Sequence, residues 1–480
     1  MDLSRRQFCK AISAAAAWTI LPEVSRPAAA KSSDRLPNVI IIFCDDMGYA
    51  DIGPFGAKGY ETPNLDRMAR EGTIFTDFHV ARSVCSPSRA ALMTGCYPVR
   101  VGVPGNFSPR SDTGLNPEEV TLADIAKQKD YATAMYGKWH LGHMPKFLPI
   151  RQGFDEWFGL PYSNDMWPYH PEQNKLYRFP DLPLMEGEKV LNPAVKPKDQ
   201  VHLTTWYAER TVKFIENNKH RPFLIYLANA MPHVPLYVSE KYKGKTERGI
   251  FGDVVSEIDW GVGKILDALK EHGIDEQTLV VFTSDNGPWL LYGEHAGSAE
   301  PFREGKGTSF EGGFRVPCIM RWPGKIPAGR NCTELAATLD ILPTLAALIG
   351  ADVPQDRIID GKDIRPLMFG QPGAKSPHDV FYYYAGRDLQ AIRMGKWKLV
   401  FPHTYGYPNP PGKGGQPGTR DKSRIELSLF DLNADVSETT NVASENPAIV
   451  AKLQALAQKV REDLGDGKKI GKNVRPVGKL

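Results

Sequence analysis

Four apolar runs, each closed by polar residues, constrain this 480-residue chain more than any other feature. Residues 38–44 read NVIIIFC and are followed by Asp45 and Asp46. Residues 131–137 read YATAMYG and lead into Lys138, Trp139 and His140. RPFLIYLANA spans 221–230, with His233 just beyond, and TLVVFTS spans 278–284, ahead of Asp285 and Asn286. An unbroken apolar run of this length suits a strand buried on both faces of a sheet. Helical patterns lie between the runs, at 62–72, 119–128 and 253–270, the last with Val255, Ile258, Val262, Ile265 and Leu269 on one face. Alternating strands and helices predict an α/β domain with a large, mostly parallel sheet sandwiched by helices. Ligands of such sheets bind outside the carboxyl ends of the strands, so the polar residues there are expected to share one site.

Near residue 375 the pattern changes. FYYYA, AIRMGKWKLVF, a Pro/Gly-rich stretch at 402–418 and LSLFDL precede a helical pattern at 447–464. This predicts a smaller C-terminal α+β subdomain over 375–480, of antiparallel strands and one helix. Residues 161–200, rich in Tyr, Trp and Pro, are expected to form a long functional loop.

The N-terminus constrains location. SRRQFCK, the apolar run AISAAAAWTIL and a small-residue tail ending at Ala30 look like a twin-arginine export signal over residues 1–30. A membrane anchor is the alternative, and the run is too short to span a bilayer. The formal net charge is +3, and four basic and two acidic groups leave with the first 30 residues, so the balance gives no sign of nucleic-acid binding. Six cysteines in a chain this long are no disulfide framework. Cys318 and Cys332 could pair after export, but their spacing does not establish it.

The segment CSPSRAALMTG, residues 85–95, is the most informative. Pro87 suits a first helical turn, Ser86 is a candidate cap, and Gly95 is a natural stop. Cys85 is then expected at or just before a helix N-terminus, where free N–H groups favour anions, with Arg89 one turn in. Standing alone, Cys85 reads equally well as a buried cysteine beside a turn.

Together with CDD, GKWHLG, PYSND, MPH, SDNG and GKGTSFEGG, in that order, the segment resembles the sulfatase family, in its arylsulfatase A-like branch of the alkaline phosphatase superfamily. The likeness covers most of 37–480, with 37–374 as the catalytic domain. It implies an alkaline phosphatase-like mixed sheet. It also implies that Cys85 is oxidised to formylglycine, which requires a formylglycine-generating enzyme as partner. Asp45, Asp46, Asp285 and Asn286 match the metal ligands. Arg89, Lys138, His140, Ser163, His233 and Lys306 match residues around the sulfate. Glu304, just before GKGT, departs from the family pattern.

This chemistry needs such residues. Three carboxylates and an amide are hard oxygen ligands, which favour one Ca²⁺ ion, with Mg²⁺ second. The implied reaction hydrolyses a sulfate ester through a sulfated formylglycine hydrate, whose second hydroxyl expels the sulfate. By the same resemblance, His140 is the candidate base for release, and His233 with Lys306 the candidate acid for the leaving alcohol. Arg89, Lys138 and Lys306 would stabilise charge. An exported enzyme of this type is expected to act on sulfated carbohydrate, with aryl sulfates as artificial substrates. Trp167, Tyr169, Tyr177, Tyr382, Tyr383 and Tyr384 would either stack on that substrate or pack within the protein. Two other readings stay open: a phosphonate monoester hydrolase or phosphodiesterase on the same fold, and a sulfated-glycan binder in which Cys85 is never modified.

Overall fold

The run 38–44 forms strand β1 (Asn38–Cys44) in the middle of a ten-stranded sheet. The structure is a computed structural model and describes residues 35–172 and 177–480. The expected export signal at 1–30 lies outside the described residues.

In chain order the other strands of the sheet are β2 (Thr73–Phe75), β3 (Ala132–Lys138), β4 (Glu156–Leu160), β5 (Leu184–Glu186), β6 (Lys189–Asn192), β7 (Phe223–Ala228), β8 (Thr278–Ser284), β9 (Cys318–Arg321) and β10 (Arg330–Cys332). Their spatial order is β10-β2-β9-β8-β1-β7-β3-β4-β5-β6. The five central strands β8, β1, β7, β3 and β4 are parallel, and antiparallel pairs flank them on both sides. The sheet is therefore mixed and mostly parallel.

Side chains alternate between two cores. Val39, Ile41 and Phe43 of β1 enter one, and Ile40, Ile42 and Cys44 enter the other. That alternation is the period-2 geometry of a strand, and apolarity at every position follows from helices covering both faces. Helices α1 (Pro63–Arg70), α4 (Leu203–Asn218) and α5 (Ile250–Glu271) pack on the β1 Ile40/Ile42 side. Helices α2 (Cys85–Thr94), α3 (Leu122–Lys127) and α6 (Ile341–Ile349) cover the opposite face.

The C-terminal part is an antiparallel four-stranded sheet of β11 (Phe381–Ala385), β12 (Asp388–Met394), β13 (Trp397–Val400) and β16 (Ser428–Asp431), in that spatial order, with helix α7 (Pro447–Asp463). Between β13 and β16 a separate hairpin, β14 (His403–Pro408) and β15 (Arg420–Ile425), projects from it. Phe381, Leu399, Leu429 and Leu453 join the same apolar core as α2 and α3.

Two expectations need correction, and the question left open at Cys318 and Cys332 is answered. The segment 161–200 is not one long loop: Leu184–Glu186 and Lys189–Asn192 form an outer hairpin of the main sheet, turning at Gly187 with φ 55°. Strands of three and four residues are too short to carry a readable period. Ser86 does not cap α2; Val84 is the N-cap residue, and Ser86 instead binds the loop at Asn106 and Phe107. Cys318 and Cys332 are both free thiols. Each is in register with Phe75, from opposite sides of β2. Two strand spacings of about 4.8 Å each separate their backbones beyond disulfide reach.

Candidate active site at the strand ends

Five sequence-distant segments meet above the carboxyl ends of β1, β3, β7 and β8. Asp45 and Asp46 leave β1, Lys138 ends β3, His233 follows β7, and Asp285 and Asn286 follow β8. Cys85 is the first residue of α2. Asp45, Asp46, Cys85 and His233 each bring a potential ligand atom to within 4.8 Å of the others. All four are buried.

The carboxylates are tied together by their neighbours. The Asp46 backbone N–H donates to Asp285 Oδ1 at 3.1 Å, and Asn286 Nδ2 donates to Asp46 Oδ1 at 2.7 Å. Arg89 donates from Nε and Nη2 to Asp285 Oδ2 at 3.1 and 2.9 Å, and Nη2 also lies 3.3 Å from Asp45. Its Nη1 donates to the Lys138 carbonyl at 2.9 Å. Arg89 therefore spends its fork on the carboxylates and on the end of β3. Lys138 ion-pairs with Asp45 and donates to Ser163 Oγ at 2.9 Å. Lys306 pairs with Asp46 Oδ1 at 2.5 Å.

Electrostatics follow from burial and crowding. Burial pushes the Asp45 carboxyl up, but Lys138, His233, Arg89 and Lys306 outweigh it and hold the group well below the usual range. Asp285 is pushed up to about 7 by burial and by the charge of Asp45, which Arg89 and Lys138 only partly offset. A divalent cation among these oxygens would relieve that repulsion. Asp46 Oδ2 and Asn286 Oδ1 are buried acceptors without a hydrogen-bond donor among the described residues, and His233 Nε2 approaches the former no closer than 3.5 Å. Buried acceptors left unpaired in a native structure call for a partner. An all-oxygen donor set of three carboxylates and an amide suits Ca²⁺ or Mg²⁺.

The thiol of Cys85 sits between charges, with Sγ 3.4 Å from Asp45 Oδ1 and 3.3 Å from Lys306 Nζ. Burial, then Asp45, drives its pKa far above the ordinary thiol range. An unmodified Cys85 is thus protonated and a poor nucleophile at neutral pH.

The two histidines differ. Nε2 of His140 faces the Phe107 carbonyl at 2.9 Å, which places its proton there, and the buried Nδ1 has no partner among the described residues. Burial, Lys138 and Arg89 hold this ring well below its usual pKa, so it is neutral and can accept a proton at Nδ1. His233 points Nδ1 at the Val234 carbonyl, which leaves Nε2 as the exchanging atom. Burial lowers its pKa, and Asp46 opposes that shift. His140 and Asp46 both have left-handed backbones, φ 60° and 63°, a strain that clusters at functional sites.

Every residue singled out in the sequence for this site is therefore found here, including Ser163. Three more had been given no role. Asn164 and Asp165, buried beside Ser163, lie in a loop without a recognisable period. Trp289 packs its ring 4.7 Å from Lys306 Nζ and 5.5 Å from the His233 ring. Its place three residues after the SDN segment was the available signal. Of the other aromatics, Trp167, Tyr383 and Tyr384 are buried, and Tyr383 and Tyr384 hydrogen-bond within the protein.

Comparison with known proteins gives a family. A family model described as "Sulfatase" matches residues 37–351, and "C-terminal region of aryl-sulfatase" matches 376–477. A further model, "N-sulphoglucosamine sulphohydrolase, C-terminal", matches 305–403. N-acetylgalactosamine-6-sulfatase of Canis lupus familiaris is 39% identical over 81% of this chain and 76% of its own. Arylsulfatase G of Mus musculus is 37% identical over 93% of this chain and 90% of its own. The crystal structure of Ps i-CgsB in complex with k-i-k-neocarrahexaose superposes with a TM-score of 0.73 at 31% identity, covering 89% of this chain and 93% of that one.

Proposed function

The chain belongs to the sulfatase family and hydrolyses sulfate esters, and we propose that it is an exported enzyme acting on sulfated carbohydrate, with Cys85 converted to formylglycine and one Ca²⁺ at the strand ends. The observation that carries the site assignment is the position of Cys85 Sγ, between Asp45 and Lys306 at the head of α2.

Asp45, Asp46, Asp285 and Asn286 would hold the ion, which when bound supplies Lewis-acid polarisation of sulfate oxygens. The aldehyde at position 85 supplies, as its hydrate, the nucleophile that a protonated thiol cannot. The rest follows from the chain's own groups. Arg89 positions Asp285 and Asp45. Lys138 and Lys306, both kept protonated by the carboxylates that outweigh their burial, present N–H donors to an anion. His140 Nδ1, neutral and unpartnered, receives the proton whose loss releases sulfate. His233 Nε2 and Lys306 Nζ stand together where the leaving alcohol needs a proton.

Export through the twin-arginine route is supported by SRRQFCK and the apolar run after it. That route carries folded proteins, so modification of Cys85 would precede it. Carbohydrate as the natural substrate is supported by the oligosaccharide in the Ps i-CgsB complex and by the galactosamine sulfatase relative. The test is sulfate release from a panel of sulfated sugars beside 4-nitrophenyl sulfate, with fractionation of the producing cells. Turnover of the aryl ester and of at least one sugar sulfate is expected. Turnover of aryl phosphodiesters in preference to both would overturn the reading.

A further inference from the structure

We propose that residues 475–479 are a positioning element of the active site: anchored by Arg475, they hold the loop between α2 and α3 in the arrangement that fixes the ring of His140. This inference rests on the reading of His140 as the base for sulfate release, and it adds a part of the chain that the reading does not need.

The need for such an element comes from His140 itself. Its backbone is left-handed at φ 60°, a conformation that a histidine keeps only when its surroundings over-determine it. Its ring is held at Nε2 by the Phe107 carbonyl at 2.9 Å, while Nδ1 has no partner among the described residues. The next residue, Leu141, offers its carbonyl to the Leu115 N–H at 2.8 Å. Both supports therefore come from one loop. Residues 95–121 are turns and irregular chain apart from the two-residue strand Thr113–Gly114. Ordering so long an irregular segment costs backbone entropy at every residue, and contacts from outside must offset it.

Residues 475–479 supply those contacts. The Arg475 N–H donates to the Arg100 carbonyl at 2.6 Å. Its guanidinium grips both carboxylate oxygens of the buried Glu119, Nε to Oε1 at 2.7 Å and Nη2 to Oε2 at 2.9 Å, and Nη1 reaches the Ile358 carbonyl at 3.1 Å. A two-point guanidinium–carboxylate pair fixes direction as well as distance. Arg100 and Glu119 stand toward opposite ends of the loop, so Arg475 pins both. Between them, Gly478–Lys479 pairs antiparallel with Thr113–Gly114, next to Leu115. Gly102 lets the two chains meet, since a Cβ there would lie 2.5 Å from the Val477 nitrogen. The strap thus touches the loop on either side of Phe107.

Helix α2 does not depend on the strap in this way. Every residue of α2 is buried. Ser86 N–H donates to Asn106 Oδ1 at 2.9 Å, and Phe107 N–H donates to Ser86 Oγ at 3.2 Å. Core packing holds the helix, so the loop leans on α2 and not the reverse. Loosening the strap therefore falls on His140 and spares the groups around Cys85.

The test compares full-length Arg475→Ala and Arg475→Lys with the unmutated enzyme. Hydrogen exchange read by mass spectrometry, on protein carrying unmodified Cys85, follows the amides of 103–116 against those of β8. Kinetics on 4-nitrophenyl sulfate follow kcat and KM. Sulfate release comes after the phenol has left, so slower release lowers kcat and KM together and leaves kcat/KM, whereas a loss of folded enzyme lowers kcat at constant KM. For Arg475→Ala, exchange in 103–116 is expected to quicken by about tenfold or more, well beyond any change in β8. Its kcat is expected to fall by about tenfold or more and its kcat/KM by less than about threefold, with Lys restoring part. Glu119→Gln combined with Arg475→Gln, which leaves no buried charge, replaces Arg475→Ala if that variant does not fold. Unaltered exchange in 103–116 overturns the proposal, and so does a fall in kcat/KM equal to the fall in kcat. His140→Ala, measured alongside, tests the catalytic reading separately: if it lacks the loss confined to kcat, that reading fails, and exchange alone decides whether 475–479 hold the loop.

Discussion

The strand-end cluster and a second buried cluster around Glu311 are built from nearly the same parts. The first has Asp45, Asp46 and Asp285 against Arg89, Lys138 and Lys306; the second has Asp77, Glu311 and Glu438 against Arg315, Arg393 and Lys398. Both contain a buried histidine, and both bring acidic and imidazole groups close enough for a metal ion. The second closes on itself. Arg393 binds Asp77 through two parallel bonds of 2.9 and 2.6 Å, and Glu311 receives His79, Tyr383 and Lys398 at 2.9, 2.8 and 3.0 Å. Its two atoms outside hydrogen-bond geometry face ionic partners, His79 Nδ1 toward Asp77 at 3.5 Å and Glu438 Oε1 toward Lys398 at 2.8 Å. The first cluster keeps Asn286 Oδ1 and His140 Nδ1 without partners among the described residues, and it surrounds a thiol. Charge inventory does not separate a reactive site from a structural joint; the unspent lone pairs do.

Breaking the first cluster should abolish chemistry while sparing the fold. Cys85→Ala is expected to lower kcat by at least about 10⁴-fold, read on 4-nitrophenyl sulfate, with an unchanged circular dichroism spectrum. Chelation should have the next largest effect: turnover falls below detection, returns with Ca²⁺, and Tm rises with added ion, because binding to the folded state alone stabilises it. An ion-independent rate would count against Asp45, Asp46, Asp285 and Asn286 as ligands.

Breaking the second cluster should do the reverse. Glu311→Ala strands Lys398 and Arg393 in the core and is expected to cost about 3–5 kcal/mol of stability by denaturant titration. The kcat of the protein that remains folded should stay near wild type. A large kcat loss at full stability would make this cluster part of the active site.

The pH dependence of stability sharpens the contrast. Burial raises Glu438 to about 7, with Lys398 opposing and Glu311 assisting. The folded state then holds a proton that the unfolded chain releases, so this contribution is present below about pH 4.5 and is lost as pH rises toward 7. Glu311 acts in the opposite sense. Burial would raise it, but Lys398, His79 and Arg393 hold it well below its usual range. Its contribution is present above about pH 4.5 and is lost as pH falls further. Glu438→Gln is expected to flatten the slope of unfolding free energy between about pH 4.5 and 7; an unaltered slope would refute the assignment. The smallest effect is expected for Ser163→Ala, which removes one neutral partner of Lys138 and should lower kcat/KM by less than about tenfold.

The two clusters were unequally legible in the sequence. The strand-end residues stand next to long apolar runs, because a buried parallel strand must end where its ligand-binding loop begins. Asp45, Asp285 and Lys138 could therefore be placed before any coordinates. Glu311 lies in GKGTSFEGG and Lys398 in AIRMGKWKLVF, but nothing local ties either to Asp77, His79 or Glu438; only tertiary packing joins the five. The same reason hid β4 to β6 and β10, whose three to five residues are too few for a period, and Trp289, which looks like any loop aromatic until its ring is seen against Lys306. Both the long striped helix Ile250–Glu271 and the short Leu122–Lys127 were legible as helices, and each start was misplaced by three residues, because end signals are weaker than the stripe.

The account turns on what stands at position 85 in the working enzyme. Mass spectrometry of the peptide containing that residue, taken from active protein of the native producer, tests it most directly. Conversion of –CH₂SH to –CHO predicts a peptide about 18 Da lighter than the cysteine form. Full activity in a preparation whose residue 85 is entirely unmodified cysteine would contradict it.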